Sequence, residues 1–254
     1  VNMRYLSVFL LETKSFVTNW SALFWTVLYP VMMLAFLVVL FDPGDETSAS
    51  FRFASVIGLT MLTLISMAIY GLAQALGDSR AHNALLFYAI APMSYIDIAM
   101  AIVLSRMAII IGFSILFITL SLFVLDLGHI LSLKMFLLGI IALSLASMFC
   151  FGLALIITRY CQNNQTMMAI ANIVNIYALM SSNVFVPLSA LPNWSTAFIT
   201  TSPFFHFNNM LLGAFSGVDL PYVFGIGSIL CLLGLLLIWI ASDRHLFIAT
   251  GRAR

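Results

Sequence analysis

The sequence offers few residues that could do chemistry. Ten Lys and Arg, nine Asp and Glu and four His are spread over 254 residues. His82, His129, His206 and His245 form no His-Glu-x-x-His pair, the spacing that sets two imidazoles on one helix face around zinc. No Gly-x-Ser-x-Gly elbow presents a nucleophilic serine. No Gly-x-x-x-x-Gly-Lys-Ser/Thr loop is present to cradle a nucleotide phosphate. Cys150, Cys161 and Cys231 lie in or beside apolar runs, at spacings that fit neither a disulfide framework nor a metal site, so their expected role is packing. The carboxylates sit mostly at the edges of apolar runs, and no buried acidic pair of the kind a proton-coupled carrier needs is visible. No catalytic residue, metal ligand or bound cofactor is therefore expected on this chain.

What remains are polar groups inside apolar surroundings. Arg106 lies about nine residues into a long apolar run, where a charge normally faces protein or water. It reads either as a cavity residue that contacts a transported molecule, or as a structural or snorkelling side chain. Asp97 stands about 13 Å away along an ideal helix, too far for a direct pair. Asn172, Asn175 and Ser182 or Asn183 recur at helical steps. That stripe could line a pathway or act as hydrogen-bonding glue between helices. His206 reads as a polar group satisfied by nearby backbone or, less simply, as a ligand.

The elements that hold these residues are membrane helices. The chain is 63% hydrophobic and 7% charged, where soluble domains carry about 25% charged residues. We expect an all-α polytopic membrane protein forming one transmembrane domain over residues 1–254, with no basic run to bind nucleic acid. Six spans are expected, at about Trp20–Phe41, Phe53–Leu76, Asp97–Leu125, Leu133–Thr158, Thr166–Val186 and Tyr222–Ala241. Pro30 should kink the first. Residues 1–18 read as an amphipathic surface helix in which Tyr5, Leu6, Phe9, Leu10 and Phe16 share a face, with Arg4, Glu12 and Lys14 elsewhere. Those charges also break any signal-peptide pattern. No internal repeat argues for an inverted-repeat carrier.

Charge sets the orientation. With both termini inside, the inner segments hold Arg4, Lys14, Arg80, Arg159, Arg244, Arg252 and Arg254, and the outer segments hold Arg52 and Lys134. That asymmetry obeys the positive-inside rule. It puts residues 78–96 in the cytoplasm and residues 187–217 outside.

Those two segments are the most informative. The outer one carries no charge until Asp219, just beyond it, and turns at Pro187, Pro192 and Pro203, with Trp194 suited to an interface. It reads as a re-entrant hairpin of two short helices, whose turning backbone must be buried in protein or line a wet cavity. Its motifs are Phe185-Val186-Pro187-Leu188-Ser189-Ala190-Leu191-Pro192-Asn193-Trp194, then Ser202-Pro203-Phe204-Phe205-His206, then Leu211-Leu212-Gly213. The inner segment carries Asp78, Arg80, Leu85, Leu86, Pro92 and Ser94. In combination these motifs resemble ABC type-2 permeases, the membrane subunits of ABC exporters. The family usually has an acidic residue and a glycine just after the arginine, where this chain has Ala81, His82 and Asn83.

The resemblance implies a function. Residues 78–96 would be a cytoplasmic coupling helix docking on an ATPase, through Asp78, Arg80, Leu85, Leu86 and Pro92. Arg106, Asn172, Asn175 and His206 would be path candidates, near an outer hairpin marked by Pro187, Pro192, Trp194 and Pro203. The chain would work as a homodimer, or as a heterodimer with a similar permease, with two copies of a separate ABC ATPase that holds ATP and Mg. Its place would be the bacterial cytoplasmic membrane. The cargo would be a lipophilic or amphipathic small molecule, with a lipid-linked polysaccharide as the alternative. An autonomous carrier or a membrane-embedded lipid enzyme is the reading from another class.

Overall fold

The computed structural model describes residues 2–18, 20, 24–42, 44, 48–81, 93–128, 132–161, 163–184, 192–216 and 220–242. These residues form helices and turns, with no strand among them. In chain order the helices are α1 (Asn2–Val17), α2 (Tyr29–Phe41), α3 (Ser48–Ser66), α4 (Leu72–Ala81) and α5 (Tyr95–Val124). They continue with α6 (Leu133–Tyr160), α7 (Asn164–Ser181), α8 (Asn193–Thr200), α9 (Pro203–Ser216) and α10 (Leu220–Ala241).

Four helices are long and apolar enough to cross a membrane: Ser48–Arg80, Tyr95–Val124, Leu133–Tyr160 and Phe224–Ala241. Thr26–Phe41 is a shorter apolar helix. α7 has 18 residues, about 27 Å, and carries several amides. It ends earlier than the sequence pattern indicates, because Asn183 takes a left-handed conformation (φ 57°) just after the cap residue Ser182.

Two turns widen into π-helix, and one has a clear cause. Phe24–Leu28 lies immediately ahead of Pro30. Proline cannot donate to the carbonyl four residues back and clashes with it, and a wider turn relieves both. Pro30 thus acts by widening the helix where the sequence predicts a kink. The second π segment, Met67–Gly71, joins α3 to α4. The two segments meet where the buried Thr26 hydroxyl donates to Met67 Sδ at 3.0 Å.

The α3–α4 rod is the central post. Every residue from Ser55 to Ile65 is buried, with α2, α5, α6, α7 and α9 packed around it. The most extensive pairing is α6 with α10. A Cβ on Gly152 would lie 2.6 Å from Gly234 O, and one on Gly234 would lie 2.6 Å from the Phe149 backbone. Only hydrogen fits on either side, the close approach that small residues allow between membrane helices.

Helix ends follow their caps. Ser94 accepts from the Asp97 amide at 3.2 Å, and its hydroxyl donates back to the Asp97 carboxylate at 2.6 Å. Asp97 is thereby a capping residue at the start of α5. Ser132 caps α6 through the Met135 amide, and Asn163 caps α7 through the Gln165 amide.

The N-terminal helix departs from the face read in the sequence. α1 lies against α5, and Phe16 is buried, while Leu6, Leu10 and Leu11 are exposed. The inward face is Phe9, Glu12, Thr13 and Phe16, spaced 3, 1 and 3 residues apart. The Tyr5 side chain lies outside the described residues. Polar partners on α5 turn the helix this way, and the exposed leucines remain for lipid.

Candidate functional site

Arg80 and Asp78 sit on the last turn of α4, beside the short turn that joins α6 to α7. Arg80 Nη1 donates to Cys161 O at 3.0 Å and Nη2 to Thr158 O at 2.9 Å. The residue is 9% exposed. Asp78 Oδ1 lies 3.5 Å from Asn164 Nδ2. Leu85, Leu86 and Pro92 lie outside the described residues, which stop at Ala81 and resume at Met93.

Arg106 is the twelfth residue of α5, about 16 Å from the helix start. Its Nη2 donates to Glu12 Oε2 at 2.9 Å. Side-chain exposures of 11% and 13% make this a largely buried ion pair. The guanidinium also lies over the Phe16 ring, 5.1 Å from its centroid. One turn of α1 adds a second contact. Thr13 donates to Phe9 O at 2.8 Å, which leaves the buried Ser105 hydroxyl to donate to Thr13 Oγ1 at 2.9 Å. Of the sequence readings for Arg106, the structural pair is the one present, with Glu12 as the partner and Asp97 engaged in its cap. Glu12 is the acid that sequence reasoning passed over. It is the sole acidic residue in α1, and that was the available signal.

The polar stripe of α7 divides in two. Asn175 is half-buried and accepts from Ser66 Oγ at 3.1 Å, on the residue just ahead of the π segment of the central post. Asn172 is exposed, beside the apolar exposed series Ile170, Ile173, Ile176 and Met180. Asn175 therefore ties helices together, while Asn172 faces outward from this copy.

The α8–α9 pair is packed rather than loose. Pro192 O accepts from the Ser195 and Thr196 amides and starts α8. Pro203 opens α9 at a position where its missing N–H costs nothing. Between them Ser202 Oγ donates to Ser181 Oγ at 2.8 Å and accepts from the Phe204 amide, fixing this turn to the end of α7. Tyr177 meets Phe198 and Phe204 edge-on, and Phe149 meets Phe204 and Phe207. Trp194 is 78% exposed at the tip. His206 is half-buried with its ring against Phe205, centroids 5.6 Å apart. Pro187 lies outside the described residues. An open recess of about 240 Å³ sits beside this pair, lined by Ala49, Ser50, Phe53, Phe215 and Ser216.

Arg106, Asn175 and His206 thus have three different neighbourhoods and do not converge on one cluster. Among the described residues no group of three or more His, Cys, Asp or Glu could hold a metal. The architecture is a buried helical post, a side-on N-terminal helix, a clamped α6–α7 turn and a wedged α8–α9 pair.

A family model described as ABC-2 type transporter matches residues 5–216. The chain belongs to the ABC-2 type transporter family. No curated protein matches it in sequence. Membership makes it a multi-pass membrane protein and the permease component of an ABC transporter, partnered with an ABC ATPase. The match takes in α1 and runs through α9, so the N-terminal helix and the α8–α9 pair lie within the matched region.

Proposed function

We propose that this ABC-2 permease exports a lipophilic or amphipathic small molecule, such as a drug, an antibiotic or a lipid-like compound, across the bacterial cytoplasmic membrane. Six spans carry both termini on the cytoplasmic side, with Thr26–Phe41 and α7 as the two beyond the four long apolar helices. Two permease copies, identical or similar, stand with two copies of a separate ATPase that binds ATP and Mg. Residues 78–96 receive the ATPase stroke, and the α8–α9 pair lies at the exit.

The observation that carries the cargo class is the outward face of α7. Asn172 is exposed among Ile170, Ile173, Ile176 and Met180. An amide turned to hydrocarbon is costly, so this face is better matched by a second permease copy and by a cargo with both apolar and hydrogen-bonding groups. It carries no charge to favour an ion.

Gentle purification from native membranes, followed by mass spectrometry of bound protein and lipid-like species, tests the reading. A stoichiometric ATPase and a bound amphipathic compound are expected. A bound glycolipid would replace the cargo with a lipid-linked polysaccharide. A preparation free of ATPase, under conditions that preserve other ABC complexes, would point to an autonomous carrier. In the assembled transporter, Arg80→Glu should leave the protein in the membrane and abolish export. Normal export together with normal ATPase stimulation would remove Arg80 from coupling.

A further inference from the structure

We infer that Asp78 and Arg80 act as a paired clamp on the α6–α7 turn, carrying displacement of α4 into α7, and that Arg80 does so as a positioning residue without itself touching the ATPase. This rests on the exporter reading above and names how the stroke travels inside the permease.

Three observations converge. Arg80 is 9% exposed, and its two terminal nitrogens are directed to carbonyls at the C-terminus of α6. A side chain placed so spends its terminal donors on its own chain. Second, the polarities match. Thr158 O and Cys161 O belong to the end of α6, where unpaired carbonyls carry partial negative charge. Asn164 opens α7, where unpaired amides carry partial positive charge. The cation of Arg80 meets the first, and the carboxylate of Asp78 lies by the second at 3.5 Å from Asn164 Nδ2. Two residues two positions apart on α4 thus match both poles of one turn.

Third, side chains of α7 pack onto the α4 backbone there. A Cβ on Gly77 would overlap Asn164 Oδ1 and Met167 Cε, and Met167 is fully buried. With these side chains seated on Gly77 and charge-assisted bonds at Arg80, a shift of α4 pulls on the turn. Ala81 is the last residue of α4, directly before residues 82–92. A push at the end of α4 therefore enters a helix whose last turn is fastened to α6 and α7. α7 in turn bears the Asn172 face. The Asp-x-Arg spacing then serves to grip a turn of the same chain.

The test uses the whole permease–ATPase complex in lipid nanodiscs. Ile173→Cys on the exposed face of α7, in a Cys161→Ser and Cys231→Ser background, carries a bimane label. The probe is ATP–Mg with vanadate, and the readouts are ATPase stoichiometry and the nucleotide-dependent bimane shift. Arg80→Gln should leave the ATPase bound at the parent stoichiometry and remove most of the bimane shift. Arg80→Lys keeps the charge but loses the forked geometry, and should fall between. Because it is the milder change, it also carries the test should Arg80→Gln fail to fold. An undiminished bimane shift in both variants would overturn the clamp. So would loss of the ATPase from either folded variant, since Arg80 would then belong to the docking surface. Absence of an ATPase from the parent complex would instead sink the exporter reading itself.

Discussion

Two arginines are buried to the same degree, and they are satisfied in opposite ways. Arg80 and Arg106 are each 9% exposed. Arg80 is held by two backbone carbonyls of a helix end, while Arg106 is held by the Glu12 carboxylate with Phe16 beneath it. Carbonyls are neutral and cannot be removed by substitution, so the Arg80 contact is fixed by where the helix stops. A carboxylate is a full charge on a separate element, so the Arg106 contact is a pair whose members depend on each other. The first joins neighbouring ends into one body. The second attaches α1 to α5 about 16 Å along that helix, and it is the more costly to break by halves.

Removing one partner of the deeper pair should have the largest effect. Arg106→Leu strands the Glu12 carboxylate and should cost about 3–5 kcal/mol, the usual cost of leaving a buried charge unpaired. Thermal unfolding in detergent reads this out. Adding Glu12→Gln should recover most of it, because the stranded charge is gone. If the double variant is no better than the single, the two arginines do not differ in kind.

Arg80→Gln leaves neutral carbonyls behind and should cost less, about 1.5–3 kcal/mol by the same measurement. Here no partner substitution exists to rescue it, which is the sharper half of the contrast. A loss as large as that of Arg106→Leu would mean that helix-end carbonyls bind the guanidinium as strongly as a carboxylate does.

Thr13→Val isolates the hydroxyl beside the Arg106 pair. It removes the bond from Ser105 without touching charge, and should cost about 1 kcal/mol. The smallest change is expected from Asp42→Asn, which weakens the ion pair with the partly exposed Arg52. Surface pairs of this kind contribute little, and the unfolding midpoint should stay within experimental error of the parent.

The sequence made the arginines visible but not their partners. Arg106 stands out because a charge interrupts an apolar run, yet Glu12 lies 94 residues away and nothing in local spacing joins them. The inward face of α1 was misread for the same reason. Hydrophobicity alone put Phe16 with Leu6 and Leu10, and tertiary hydrogen bonds turned it instead toward Glu12 and Thr13. Arg80 was legible through the Asp-x-Arg element of the family resemblance, read as the opening of a separate segment after a span ending near Leu76, whereas α4 continues through Ala81 and holds Arg80 in its last turn. That its donors reach Thr158 and Cys161 depends on backbone atoms, which carry no residue signature. The long apolar helices α5 and α6 were read nearly to their ends, since length and composition decide them. α7 was read past its end at Ser181, because a positive φ at Asn183 stops it. Of the outer motifs, Pro203 did mark a helix start, while the segment around Pro187 lies outside the described residues.

The glycine contact between α6 and α10 bears on how the protein comes to be made. α10 is the last described helix to leave the ribosome, and Gly152 of α6 emerges some eighty residues before Gly234. Until Gly234 arrives, the backbone groove along α6 stands open to lipid or to other helices. Vectorial synthesis thus leaves the broadest helix–helix contact to the end of assembly. A bulky residue at either glycine would act on a nascent chain whose other helices have already inserted. Its signature would be low abundance through clearance by membrane quality control, with the molecules that escape still carrying a properly built inner turn.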